Sequence, residues 1–129
     1  MDKVRGFDIP VEDMRRAKKF YHEIFDWQIR PVSGSGGDFH SVQTVPEDEN
    51  GNPLGYGING GLYKKGTRGL ETVFLEVQVD SIDATIQKVV HAGGALVRPK
   101  SPILDFAYFA VVKDTEGNYI GLWEEIGRK

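Results

Sequence analysis

One stretch of this chain is written twice. Phe7 to Pro31, FDIPVEDMRRAKKFYHEIFDWQIRP, recurs in altered letters as Leu75 to Pro99, LEVQVDSIDATIQKVVHAGGALVRP, 68 residues later and without a gap. Asp8 falls on Glu76, Ile9 on Val77, Val11 on Val79, Met14 on Ile82 and Tyr21 on Val89. Ile29 falls on Val97, and Arg30-Pro31 on Arg98-Pro99. Each copy reads as an alternating strand, a helix start, a helix, and a second strand ending in Arg-Pro. Self-similarity at a fixed spacing marks one supersecondary unit used twice. The chain is therefore expected to form one domain of two pseudo-symmetric modules, about residues 1–65 and 69–129.

Local patterns fill in each module. Phe7, Ile9 and Val11 alternate with Gly6, Asp8 and Pro10, the period of a strand with one buried face. Glu12-Asp13 supplies acceptors for the free backbone N–H groups of a helix start. Met14, Ala17, Tyr21 and Ile24 then recur at helical spacing. Trp27–Pro31, Phe39–Val45 and Tyr56–Lys65 read as strands, with the turn-rich PEDENGNP between the last two. The second module repeats the plan. Thr72–Val79 is a strand, Ile82, Ile86, Val89 and Val90 stripe a helix, and Gly93-Gly94 ends it. Ala95–Arg98, Phe106–Val112 and Asn118–Glu124 are three further strands. The module ends also match, Gly61-Leu62-Tyr63 facing Gly121-Leu122-Trp123.

Composition removes several function classes. A net charge of −3 gives no basic footprint for nucleic acid. No apolar run approaches a membrane span, and the start lacks the apolar core of a secretory signal. There is no Cys, hence no disulfide, thiolate metal site or Cys nucleophile. The expected location is cytoplasmic. Ser33–Gly37 is glycine-rich, but the Lys-Ser/Thr and the helix of a phosphate-binding loop do not follow it. No Ser-His-Asp order or nucleophile elbow is visible.

Two βαβββ modules, with Asp13-Met14, Ala17 and Phe20-Tyr21 on the first helix, resemble the vicinal oxygen chelate superfamily of glyoxalases, bleomycin-resistance proteins and extradiol dioxygenases. Ile9–Met14, Phe25-Asp26-Trp27, Val79–Ala84, Ala92-Gly93-Gly94 and Lys113–Asn118 carry the likeness over essentially the whole chain. It implies an α+β fold whose curled sheets enclose a cleft, and a homodimer. Metal-binding members place His and Glu ligands on the first and last strands of each module. Those points fall here on Gly6, Phe74, Gly61 and Gly121, none with a ligating side chain. The resemblance with this departure implies no metal and no other cofactor.

The period of two places Asp8, Glu76, Gln78, Asn59, Tyr63 and Trp123 on the same inward faces as those four positions. Asp8 and Glu76 are equivalents: a displaced metal site, an acid/base pair, or, most commonly for carboxylates, solvated or ion-paired groups. The three glycines leave room for a ligand lined by Phe74, Tyr63 and Trp123, or mark close backbone approach with Phe74 as a plug. Of the histidines, His22 and His91 lie on helices, and His40 is the one expected to reach the cleft. The cleft candidates are thus Asp8, His40, Tyr63, Phe74, Glu76 and Trp123. The expected function is metal-independent binding of a small, partly apolar molecule. The alternatives are a metal-dependent lyase or dioxygenase using Asp8, His40 and Glu76, and a non-catalytic domain with a filled cleft. On the binding reading, Phe74→Ala or Trp123→Ala is expected to change ligand affinity with little loss of fold.

Overall fold

The alternating strands and amphipathic helices assemble as the repeat requires. A computed structural model describes residues 1–127, and in it the chain forms two compact units. One is Gly6–Val73; the other joins Met1–Arg5 to the chain from Phe74 onward. Both are α+β.

In the first unit the elements are β1 (Val4–Val11, of which Val4 and Arg5 belong to the other unit), α1 (Met14–Phe25), β2 (Gln28–Pro31), β3 (Phe39–Gln43) and β4 (Gly60–Lys64), with sheet order β2-β3-β4-β1. β1 and β4 run parallel, while β3 is antiparallel to β4 and β2 to β3. In the second, β5 (Phe74–Gln78), α2 (Ile82–His91), β6 (Ala95–Ile103), β7 (Ala107–Lys113) and β8 (Tyr119–Glu125) repeat the order as β6-β7-β8-β5. Again the first and last strands are parallel and the other pairs antiparallel. The repeat in the letters is thus a repeat in topology.

Each helix covers one face of its own sheet. Val11, Ile29, Val42 and Leu62 are buried against Met14, Ala17 and Tyr21 of α1, with Trp27 stacked on Tyr21 at 5.1 Å. Val79, Ile82, Ala110, Val112 and Leu122 form the matching core under Ile86 and Val89 of α2. The α1 stripe is narrower than its spacing suggests. Phe20, Ile24 and Phe25 stay more than half exposed, and no α1 residue is fully buried.

The caps differ in strength. Asp13 accepts from the Arg16 N–H at 3.0 Å, and Ser81 from the Ala84 N–H at 3.1 Å. α2 has a second cap from outside the helix, where Glu124 Oε1 accepts from the Ile82 N–H at 2.7 Å. That bond ties the helix start to β8. Glu124→Ala should therefore cost about 1–2 kcal/mol. Urea denaturation checks this, and an unchanged midpoint would show that the cross-element cap contributes nothing.

The fourth strand is shorter than the pattern predicts. Residues 56–59 are not strand, and the ladder starts at Gly60. The reason lies in two turns of one design. Asp48 accepts from the backbone N–H groups of Asn50 and Asn52 and from the Asn52 side chain. Asp114 does the same with Glu116 and Asn118. These hydrogen bonds hold both carboxyls below the usual range. The second turn leads at once into β8. After the first, a segment ending in Asn59 intervenes, and the Asn59 side chain closes it by accepting from the Thr44 N–H at 2.7 Å and donating to Glu47 at 2.7 Å. No helix among the described residues is long and apolar enough to cross a membrane.

Candidate functional site

In each unit the sheet face away from the helix bears the residues that the pattern selects. On the first unit, Asp8 pairs in register with Gly61, and Ser41 lies on the other side of Gly61. Tyr63 stands between Pro10 and Phe39. Asp8 is only 3% exposed. The Tyr63 hydroxyl is committed: it donates to the Thr72 carbonyl at 2.6 Å and accepts from the Thr72 N–H at 3.0 Å. Burial, with the negative charge of Asp8 adding to it, pushes the Tyr63 phenol up to about 12.

Tyr63 is thus a clasp for the chain leaving β4, not an open donor. Its raised pKa favours the folded state while the phenol stays neutral. That contribution is complete below the free-tyrosine pKa near 10 and is lost as pH rises towards 12. A shift of this size corresponds to about 2–3 kcal/mol. The stability difference between the native protein and Tyr63→Phe should shrink across this alkaline interval. A pH-independent difference would show that the phenol is not held neutral by the fold.

His40 is placed otherwise than expected. It pairs in register with Leu62 and Pro31, on the face that α1 covers. Burial lowers its pKa, and the Lys18 charge on α1 lowers it further. Its buried Nδ1 has no hydrogen-bond partner among the described residues. The expectation that His40 joins Asp8 therefore fails. A step of one residue along β3 turns the side chain to the opposite face. His22 and His91 are exposed on their helices, and His22 Nδ1 lies 3.0 Å from the Trp27 carbonyl oxygen.

On the second unit, Glu76 pairs in register with Gly121 and Gln78 with Trp123, while Phe109 stands opposite Trp123 on β7. Phe74 and Phe109 meet with ring centres 6.2 Å apart. Glu76, 7% exposed, is ion-paired with Arg5, Oε1 to Nη1 at 3.0 Å. The Arg5 guanidinium also lies over the Trp123 ring, its Cζ 3.8 Å from the centroid. Phe106 meets the same indole at 5.9 Å. The buried Trp123 Nε1 has no hydrogen-bond partner among the described residues. Arg5 and Phe106 are the members that sequence reasoning missed. The repeat begins after Arg5, and Phe106, read as the first residue of a strand, lies just before β7 and is not aligned with the four positions that define the inward faces.

The glycines decide whether a metal set fits. A Cβ on Gly61 would stand 2.5 Å from Phe39 Cζ and 3.2 Å from Asp8 Oδ1. On Gly121 it would stand 3.0 Å from both Phe109 Cε1 and Phe74 Cε2. On Gly6 it would meet the Asn59 carbonyl oxygen at 2.7 Å. The space that a ligating side chain would need is taken by aromatic rings and backbone. Among the described residues, no group of three or more His, Cys, Asp or Glu is placed to hold a metal ion. The donor set of a metal-dependent member does not fit here.

The comparisons with known proteins agree with the topology. CFP32 of Mycobacterium bovis, provisionally called a glyoxylase, is 30% identical over 126 residues, covering 91% of this chain. The chain spans less than half, 43%, of that relative. A glyoxalase/bleomycin resistance protein/dioxygenase superfamily member from Vibrio splendidus shares the fold at TM-score 0.62 and 12% identity, covering 98% of this chain and 100% of its own. Methylmalonyl-CoA epimerase of Streptomyces coelicolor, bound to 2-nitronate-propionyl-CoA, does so at TM-score 0.65 and 10% identity, covering 97% and 98%. The family model of the Glyoxalase/Bleomycin resistance protein/Dioxygenase superfamily matches residues 3–122. With the strand–helix–three-strand unit present twice, the chain belongs to the glyoxalase/bleomycin resistance protein/dioxygenase superfamily.

Proposed function

We propose that this protein binds a small, partly apolar molecule without a metal, against the aromatic face of its second unit. The observation that carries this is Trp123. Its indole lies against Arg5 on one contact and Phe106 on another, and its buried N–H has no partner among the described residues. A buried donor left unmet costs about 1–3 kcal/mol, so a ligand acceptor there adds affinity. Apolar faces edged by a few polar groups suit small molecules. The small-molecule complex of the epimerase supports the same use of the fold. The net charge of −3 supports a partner other than nucleic acid. A homodimer and a cytoplasmic location rest on the sequence reading.

Thermal-shift screening of a small-molecule library, with elemental analysis of protein purified without chelator, tests this. Several library members should stabilise the protein saturably, by about 2.7 kcal/mol at a hundredfold excess over Kd, and Trp123→Ala should abolish the effect. Near-stoichiometric metal, or no stabilising compound, would overturn the reading. A second reading, a non-catalytic domain with its inward faces filled, is favoured by the rings over Gly61 and Gly121. A screen without hits would bring it forward.

A further inference from the structure

We infer that the molecule bound at Trp123 carries a carboxylate, received by Arg5. This rests on the binding reading above and adds the chemical class of the ligand. A guanidinium presents five N–H groups on a rigid plane. Glu76 engages Arg5 at Nη1, at 3.0 Å. No hydrogen bond among the described residues engages Nε or Nη2. Those two nitrogens form the remaining forked edge, whose geometry matches a carboxylate bidentately.

The surroundings favour that use. The guanidinium is held flat by the indole at 3.8 Å and by the Glu76 pair, so little side-chain freedom is lost on binding. The Arg5 side chain remains 33% exposed. Phe106, 40% exposed and in contact with Trp123, offers a flat apolar surface for the body of the ligand. Charge narrows the class further. Glu76 offsets the Arg5 charge and repels an added anion, more strongly for a dianionic phosphate than for a monoanion. A planar monoanion uses the fork with the smaller repulsion.

The test follows the indole N–H resonances of the full chain by NMR. There are two tryptophans, Trp27 and Trp123, and Trp123→Phe assigns the second. The probes are benzoate, its neutral isostere benzamide, and phenyl phosphate. Benzoate should shift the Trp123 resonance saturably and bind at least about tenfold tighter than benzamide, the separation expected when a hydrogen bond between charged groups is lost. Arg5→Lys keeps the charge beside Glu76 but loses the fork, and should remove that preference while the spectrum stays folded. Arg5→Gln should do the same, and the Lys variant guards against a fold lost through an unpaired Glu76. Benzamide binding as well as benzoate would overturn the carboxylate inference and leave small-molecule binding standing. Tighter binding of phenyl phosphate than benzoate would overturn it in favour of a phosphate ligand. No shift with any probe would overturn it too, while hits in the thermal screen would show that binding itself survives.

Discussion

Gly121→Glu, which restores the residue type that metal-binding members use, should bind no metal and lose about 3–5 kcal/mol of stability. The Cβ alone would press on Phe74 and Phe109 at 3.0 Å. The carboxylate would then lie among these rings, beside Glu76, whose Cγ is 3.3 Å from the new Cβ. The nearest groups to the new Cβ are these two rings and Glu76, with no cation among them. A second buried carboxylate there must stay unpaired or take up a proton. Urea denaturation with elemental analysis after incubation with Zn and Ni salts measures both halves. A stably folded variant holding one metal per chain would sink this account of the glycine.

Phe74→Ala should cost about 3–5 kcal/mol, the range for removing a buried phenyl group. Phe74 is 5% exposed, packs on Phe109, and fills the space over Gly121. The sequence leaves position 74 open between a ligand lining and a plug. The packing favours the plug, because glycine has no side chain to close the gap that alanine would leave. Leu75→Ala, at a neighbouring position that is 44% exposed, is the control and should cost under about 1 kcal/mol. A Phe74→Ala midpoint equal to that of Leu75→Ala would show that the ring is not part of the core.

Much of this was legible in the letters because the signals are local or periodic. The repeat of Phe7–Pro31 in Leu75–Pro99 announces two equal units, and both sheets repeat one strand order. Alternation assigned Asp8 and Glu76 to the face away from the helix, and both are buried there beside Gly61 and Gly121. His40 was misplaced because β3 carries no strict alternation around it, and only its register with Leu62 reveals its side. The sequence reads Tyr56–Lys65 as one strand, beginning four residues too early. Asn59 instead closes the segment with hydrogen bonds to Thr44 and Glu47.

By itself, then, the sequence determined the two-unit architecture, the facing of most strand residues and, through its likeness to the superfamily, the lack of ligating side chains at four positions. The units follow from the repeat, the facing from the period of two, and the missing ligands from residue identity at positions that the resemblance supplies. Only the tertiary structure decided what fills the space above the glycines, that Tyr63 clasps Thr72, and that Arg5 joins Glu76 and Trp123. Phe39, Phe109 and Arg5 reach their partners from other strands. Such contacts depend on pairing register and side-chain direction, which no local pattern encodes.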